Sequence, residues 1–164
     1  MTYFITLICY GARLHGDESG SVDRHHNLPG SRILESNPER LAMKREQMDQ
    51  EPFILDQPSR AVVLESIRET CLHRGWTLLA AHVRTNHVHV VVEAPVRPER
   101  VMNALKSHAS RSLNRLASSE PDRKRWARHG STRWLFKDEE VRQAIQYVVE
   151  GQGEPMAVFA AYLL

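Results

Sequence analysis

Cysteine is scarce in this sequence. Only Cys9 and Cys71 are present, each in an apolar segment, and no CxxC pair occurs. That argues against a structural zinc site built on cysteine. Two buried, reduced thiols are the plain reading and suit the cytoplasm; whether they pair is a question of distance that the sequence leaves open. Long hydrophobic runs are also missing. No stretch approaches the roughly 20 apolar residues of a membrane span. The opening MTYFITLICYGARLHGD has neither a basic leader region nor a small-residue cleavage site, so its short apolar run reads as a first strand and not as a signal peptide. There is no internal repeat, and the excess of either charge is small, +2 over 164 residues. With 41% hydrophobic and 26% charged residues, the composition is that of a soluble globular protein, and the expectation is one domain spanning 1–164 with a real core.

What charge there is lies unevenly. From Arg97 to Lys137 there are 11 Lys/Arg against three acids (Glu99, Glu120, Asp122), a net of +8, which leaves −6 for the remainder. A basic block in a near-neutral protein is a localised anion-binding surface. A solvated face is the common outcome for such a run, but this one interleaves Trp126 and Trp134 with arginines. Aromatic rings beside guanidinium groups stack and neutralise unpaired nucleotides, so nucleic acid is the expected partner.

Tyr3–Tyr10 is rich in β-branched and aromatic residues and predicts a strand. Residues 11–58 read as an irregular insertion, with one helix expected from Asn37 as cap and Pro38 at its first position, through ERLAMKREQMDQ. Ser59 is expected to cap a helix that stops at Gly75. Strands follow at 76–83 and 87–93 around the turn Arg84-Thr85-Asn86. Pro98 opens a second helix with Met102, Leu105, Ala109, Leu113 and Leu116 on one face. After a basic linker, a strand is expected at 132–137 and then a helix capped by Asp138. The terminal AVFAAYLL reads as a packing or interface segment. The order β-α-β-β-α-β-α predicts an α+β fold: a ferredoxin-like split βαβ unit, an antiparallel sheet with helices on one face, plus a C-terminal helix.

The sharpest motif is NHVHVVVE. Side chains alternate along a strand, so Val88, Val90 and Val92 point one way, toward the helices, while His87, His89 and Glu93 share the open face. Two imidazoles at i and i+2 stand side by side and can grip one divalent ion. Alone, such a pair is more simply two polar residues on a solvated face. The last helix adds weight. Val141, Ala144, Ile145 and Val148 fall on one apolar arc, and Tyr147 lies outside it, near Gln143 and Glu150. A surface tyrosine with its ring against the helix is the plain alternative; a nucleophile turned toward the sheet is the functional one.

On these residues the chain resembles the HUH-type single-tyrosine transposases, including the REP-associated tyrosine transposases. The points of likeness are Asn86-His87-Val88-His89, the basic helix LKSHASRSLNR (105–115), and the stretch RWLFKDEEVRQAIQYVVEGQG, with a tyrosine about 60 residues after the histidines. The resemblance runs from Tyr3 to about Gly153. It implies that His87 and His89 hold Mg²⁺ or Mn²⁺ and that Tyr147 is the nucleophile. It also implies cleavage of single-stranded or hairpin DNA through a 5′-phosphotyrosine and a free 3′-OH, and reclosure without ATP. A third metal ligand would be an amide one turn after the tyrosine. Gly151 stands there, so Gln152 is the expected ligand, on condition that the helix ends near Gly151; Glu150 is the other candidate. The run Tyr147-Val148-Val149-Glu150-Gly151-Gln152 thus departs from the Y-I-x-x-N-P common in relatives, and residues 11–58 have no counterpart in a minimal member. Lys106, Arg111, Arg115 and Trp134 are expected to contact DNA. A monomer and a homodimer both fit the resemblance. Two other functions share the fold: a domesticated, non-catalytic nucleic-acid-binding module, and a replication-initiator or relaxase-like nickase. The His-x-His pair and Tyr147 disfavour the first, because binding alone requires none of them.

Overall fold

The computed structural model describes residues 1–12, 48–117, 120 and 122–163. Most of the expected insertion, with the body of the helix expected from Asn37, lies outside them; Met48–Asp56 are described and belong to no helix or strand. The elements are β1 (Thr2–Ile8), α1 (Gln57–Arg74), β2 (Thr77–Val83), β3 (His87–Glu93), α2 (Pro98–Leu116), β4 (Ser131–Leu135), α3 (Asp138–Glu150) and β5 (Ala157–Ala160), then a short 3₁₀ turn, Ala161–Leu163. All strand pairs are antiparallel, in the order β4-β1-β3-β2-β5. The first four strands keep the order that a split βαβ unit requires, so the expected α+β class holds. β5 is an addition to the expected sheet. Its four residues are too few and too alanine-rich to signal a strand, and the open edge of β2 organises them.

Local chemistry sets the boundaries. α1 starts two residues earlier than Ser59: the Asp56 carboxylate caps it by accepting the Ser59 N–H at 2.9 Å, and hydrogen bonding to Ser59, side chain first and backbone second, holds the carboxyl below its usual range. Gly75 ends α1 at φ 72°, its N–H returning to the Cys71 and Leu72 carbonyls. α2 begins at Pro98 as expected, with Met102, Leu105, Ala109 and Leu113 buried; Leu116, at the last position, is exposed. At α3 the cap falls on Lys137 rather than Asp138, and the Glu140 carboxylate reaches back to accept the Phe136 and Lys137 N–H groups at 2.8 and 3.1 Å.

The main core lies between one sheet face and α1 with α2. Tyr3, Ile5 and Leu7 of β1 and Val88, Val90 and Val92 of β3 are fully buried there, as alternation predicts. The other face is where the expectation needs correcting. It is not open: α3 packs across it, setting Ala144 and Val148 against Ala80, Val91 and Leu135. Val91 is the reason, because it shares the histidine face and gives the apolar arc of α3 something to bury against. Cys9 and Cys71 are both buried free thiols, and burial pushes their pKa values up to about 12 and about 11. Neither is a nucleophile at neutral pH. No helix among the described residues is long and apolar enough to cross a membrane.

Candidate functional site

Register assembles the site. Antiparallel pairing sets Thr6 of β1 opposite His89 and Ile8 opposite His87. On the other side, His82 of β2 stands opposite His89. The two candidate ligand rings lie 4.8 Å apart between centroids. α3 then lays Tyr147 over them, its ring 5.6 Å from His89 and 6.0 Å from Phe4. Tyr147 remains 48% exposed while His89 is 5% exposed. The tyrosine is therefore open to a polymer arriving from solvent, and the histidine below it is not.

Each histidine is oriented from behind. His87 Nδ1 lies 2.8 Å from Asn86 Oδ1. An amide oxygen only accepts, and Asn86 Oδ1 is the nearer of the two amide oxygens facing the ring, which favours the proton on Nδ1 and the lone pair on Nε2. His89 Nδ1 lies 2.9 Å from Thr6 Oγ1, and that hydroxyl can hold the same tautomer. Such outer partners steer imidazole ligands toward a metal. Sequence reasoning assigned no role to Thr6 or Asn86. The motif NHVH hinted at Asn86; nothing local pointed to Thr6, 83 residues from His89 in the chain.

The helix end on which the expectation for Gln152 depends is present. α3 ends at Glu150, and the Gly151 N–H closes on the Tyr147 carbonyl at 2.9 Å. Gly151 does this at φ −88° and not in the left-handed region; the left-handed glycine is Gly153, at φ 79°. The Gln152 amide is held by its NH₂ group, which donates to the Tyr147 carbonyl at 3.4 Å, and this turns Oε1 toward His87 Nε2 at 3.5 Å. With the proton on Nδ1 both atoms can offer lone pairs to one cation; with it on Nε2 the ring donates to Gln152 Oε1 instead. With His89 the donor set is two imidazoles and one amide oxygen, chemistry that fits Mn²⁺ well and Mg²⁺ acceptably. Among the described residues no group of three or more His, Cys, Asp or Glu is gathered as for a metal, so a site built on His87 and His89 would need the Gln152 amide as its third protein donor. Glu150, the other candidate, is exposed at the last helical position.

Why glycine occupies the position one turn after the tyrosine is a matter of space. A Cβ at Gly151 would come within 2.9 Å of Tyr147 Cδ2 and of the Tyr147 carbonyl oxygen. The ring fills the place where a fourth-residue side chain would begin, so the amide sits one residue later. Alanine is comfortable at φ −88°, hence Gly151→Ala tests the space taken by the Tyr147 ring and carbonyl and not the dihedral preference of residue 151. If Tyr147 is the nucleophile, the variant should form covalent DNA adduct on the order of 10- to 100-fold more slowly; adduct formation at the wild-type rate would show that the ring has room to spare.

The basic block divides in two. Lys106 is buried, its ammonium donating to the Ala127 carbonyl at 3.0 Å, and burial lowers its pKa. It ties α2 to the following linker instead of standing on the surface. Trp126 is likewise engaged, its indole N–H donating to the Lys106 carbonyl and Ser110 Oγ. Arg123 and Lys124 bind Gln50, Glu51 and Asp49, and Arg125 is buried against Phe53. Arg111 and Arg115 are exposed on α2. Trp134 is braced edge-on against the buried Tyr3 ring at 4.9 Å and lies nearly parallel to Phe136, 81% exposed, at 6.2 Å. Phe136 escaped sequence reasoning because, at the end of a strand, it reads as core.

With this geometry established, comparison with known proteins adds the following. The family model described as "Transposase IS200 like" matches residues 48–148, a span that contains His87, His89 and Tyr147 and stops before Gln152. No curated protein matches the chain. Among solved structures the chain is similar to a REP-associated tyrosine transposase bound to a REP hairpin, with 11% identity and a TM-score of 0.50 over 92% of this chain. It spans 65% of that protein's length, and at such identity the likeness is one of fold. It also resembles a Deinococcus radiodurans R1 protein described as a transposase, with 16% identity, a TM-score of 0.47, and 93% and 90% of the two chains covered.

Proposed function

We propose that this chain, which belongs to the IS200-like transposase family, cuts and rejoins single-stranded DNA through a covalent bond to Tyr147. The observation that carries the reading is the convergence, on one sheet face, of a half-exposed tyrosine with two oriented imidazoles and an amide oxygen. Binding alone needs no such arrangement, and a hydrophobic core would not gather a half-exposed tyrosine, two imidazoles and an amide. His87, His89 and Gln152 would hold Mg²⁺ or Mn²⁺, which when bound supplies positive charge to the non-bridging oxygens of the scissile phosphate.

The chain's own residues account for the rest. The Tyr147 oxygen attacks phosphorus and forms the O–P bond. The bond from phosphorus to the 3′ oxygen breaks, and the phenolic proton is balanced by the one gained at the released 3′-OH. The ester bond energy is retained in the 5′-phosphotyrosine, so a 3′-OH from another end can reverse the step and join strands. Because Tyr147 sits on a helix packed to the sheet by Ala144 and Val148, its position is set before DNA arrives, which lowers the entropic cost of the attack. Exposed Arg111 and Arg115, with the Trp134–Phe136 pair, suit an unpaired strand: cations for phosphates and ring faces for bases. The hairpin bound by the structural neighbour makes a hairpin with a single-stranded flank the substrate to try first.

The test is incubation of the protein with assorted hairpin oligonucleotides and Mn²⁺, followed by denaturing electrophoresis. A DNA–protein adduct should form with single-stranded flanks and not with plain duplex. Absence of adduct across a broad oligonucleotide set would leave the non-catalytic binding module as the better reading.

A further inference from the structure

His82 belongs to none of the roles above, yet it is fully buried beside the site. It projects from β2 opposite His89 and Val158. Its Nδ1 is 3.0 Å from the Val148 carbonyl, one residue past Tyr147. Its Nε2 receives the Met156 N–H at 3.0 Å, and the Arg84 guanidinium approaches the same nitrogen at 3.4 Å. The partners settle the tautomer. A carbonyl can only accept, so Nδ1 carries the proton; a backbone N–H and a guanidinium can only donate, so Nε2 does not. Burial lowers the pKa of the ring, in keeping with a neutral imidazole that donates on one side and accepts on the other. Arg84 reinforces the second side by donating to the Glu154 carbonyl at 2.9 Å.

These bonds bracket the catalytic elements. Val148 fixes the last turn of α3, which carries Tyr147. Met156 and Glu154 fix the far side of the turn that carries Gln152. From this geometry we infer that His82 is a positioning residue, a two-sided clasp that sets the nucleophile and the amide ligand independently against one strand. The inference rests on the function proposed above for Tyr147 and Gln152, but the clasp itself can be read without activity. The fold alone does not require histidine here: an apolar side chain would fill the space, and only a group with one donor and one acceptor on opposite edges joins both segments.

Two conservative variants separate the two sides. In His82→Asn the amide NH₂ can take the place of Nδ1–H toward Val148, while the bond to Met156 is lost. In His82→Gln the amide oxygen can reach the place of Nε2 toward Met156, while the bond to Val148 is lost. Hydrogen exchange followed by NMR should show the Met156 amide exchanging about fivefold to tenfold faster in His82→Asn, and the last-turn amides of α3 doing so in His82→Gln. Mn²⁺ affinity, measured by calorimetry, should fall about tenfold in His82→Asn, where the Gln152 turn is loosened. Adduct formation at saturating Mn²⁺ should slow about tenfold in His82→Gln, where the tyrosine turn is loosened. Identical exchange patterns in the two variants, or faster exchange throughout the sheet in both, would overturn the clasp and leave His82 as core packing. If exchange and Mn²⁺ affinity divide as stated but wild type forms no adduct, the clasp stands and the nuclease reading fails.

Discussion

Tyr147→Phe should abolish covalent capture of DNA, lowering adduct formation by roughly 10⁴-fold or more, as removal of a sole nucleophile does. The substitution removes one hydroxyl from a ring that is 48% exposed. No described hydrogen bond of the fold uses that hydroxyl, and the ring contacts with His89 and Phe4 survive. Folding stability and DNA binding should therefore hold while the chemistry stops. The other tyrosines are poor substitutes. Tyr3 is buried and donates to the Val96 carbonyl at 2.6 Å, with burial raising its pKa. Tyr10 bonds Asp49 at 3.1 Å, beyond the end of β1. Tyr162 is 61% exposed in the turn after β5. A tryptic digest of the adduct should carry the nucleotide on the Tyr147 peptide. Undiminished cleavage by the phenylalanine variant, or a nucleotide on Tyr162, would remove Tyr147 from the mechanism.

Loss of either histidine should have the next largest effect. His87→Ala and His89→Ala should each weaken Mn²⁺ binding by more than about 100-fold, beyond what loss of an outer partner costs, and cleavage should fall with it. Their stabilities should differ. His87 is only half-buried, and its removal leaves Asn86 within reach of water. His89 is 5% exposed and its Nδ1 meets Thr6 Oγ1, so alanine there opens a hole and strips a buried hydroxyl of its partner. That costs about 1–3 kcal/mol, which thermal unfolding will register. An open sheet face would have made both substitutions equally harmless to the fold; the packing of α3 makes them unequal. Titration calorimetry decides the metal assignment, since equal Mn²⁺ binding by wild type and the double variant would sink it.

Much of this was legible in the chain. A period of two in HVHVVVE settles which residues share a face, whatever covers them, because alternation is a property of the extended backbone. The apolar arc of α3 excludes Tyr147 from the core for the same kind of reason, the pitch of a helix. Pro98 and Gly75 punctuate α2 and α1 through their own φ preferences. These are near-neighbour constraints, and the sequence by itself was enough to determine them.

What depends on distant segments meeting was decided only by tertiary structure. The histidine face is covered because Val91 and Ala80 offer α3 an apolar seat, and no local pattern says which helix will take it. Lys106 and Arg125 look like DNA contacts in a basic run, but burial against the linker and Phe53 turns their charges inward, since a charge count carries no information about exposure. Gln152 serves as a candidate ligand because Gly151 ends the helix and the Tyr147 ring occupies the space one turn on. Thr6, Asn86 and His82 orient the site through hydrogen bonds, three of which span more than 60 residues of chain. Hydrogen bonds are short and directional, so their partners are chosen by the register of the sheet and the docking of α3, which exist only once the chain has folded.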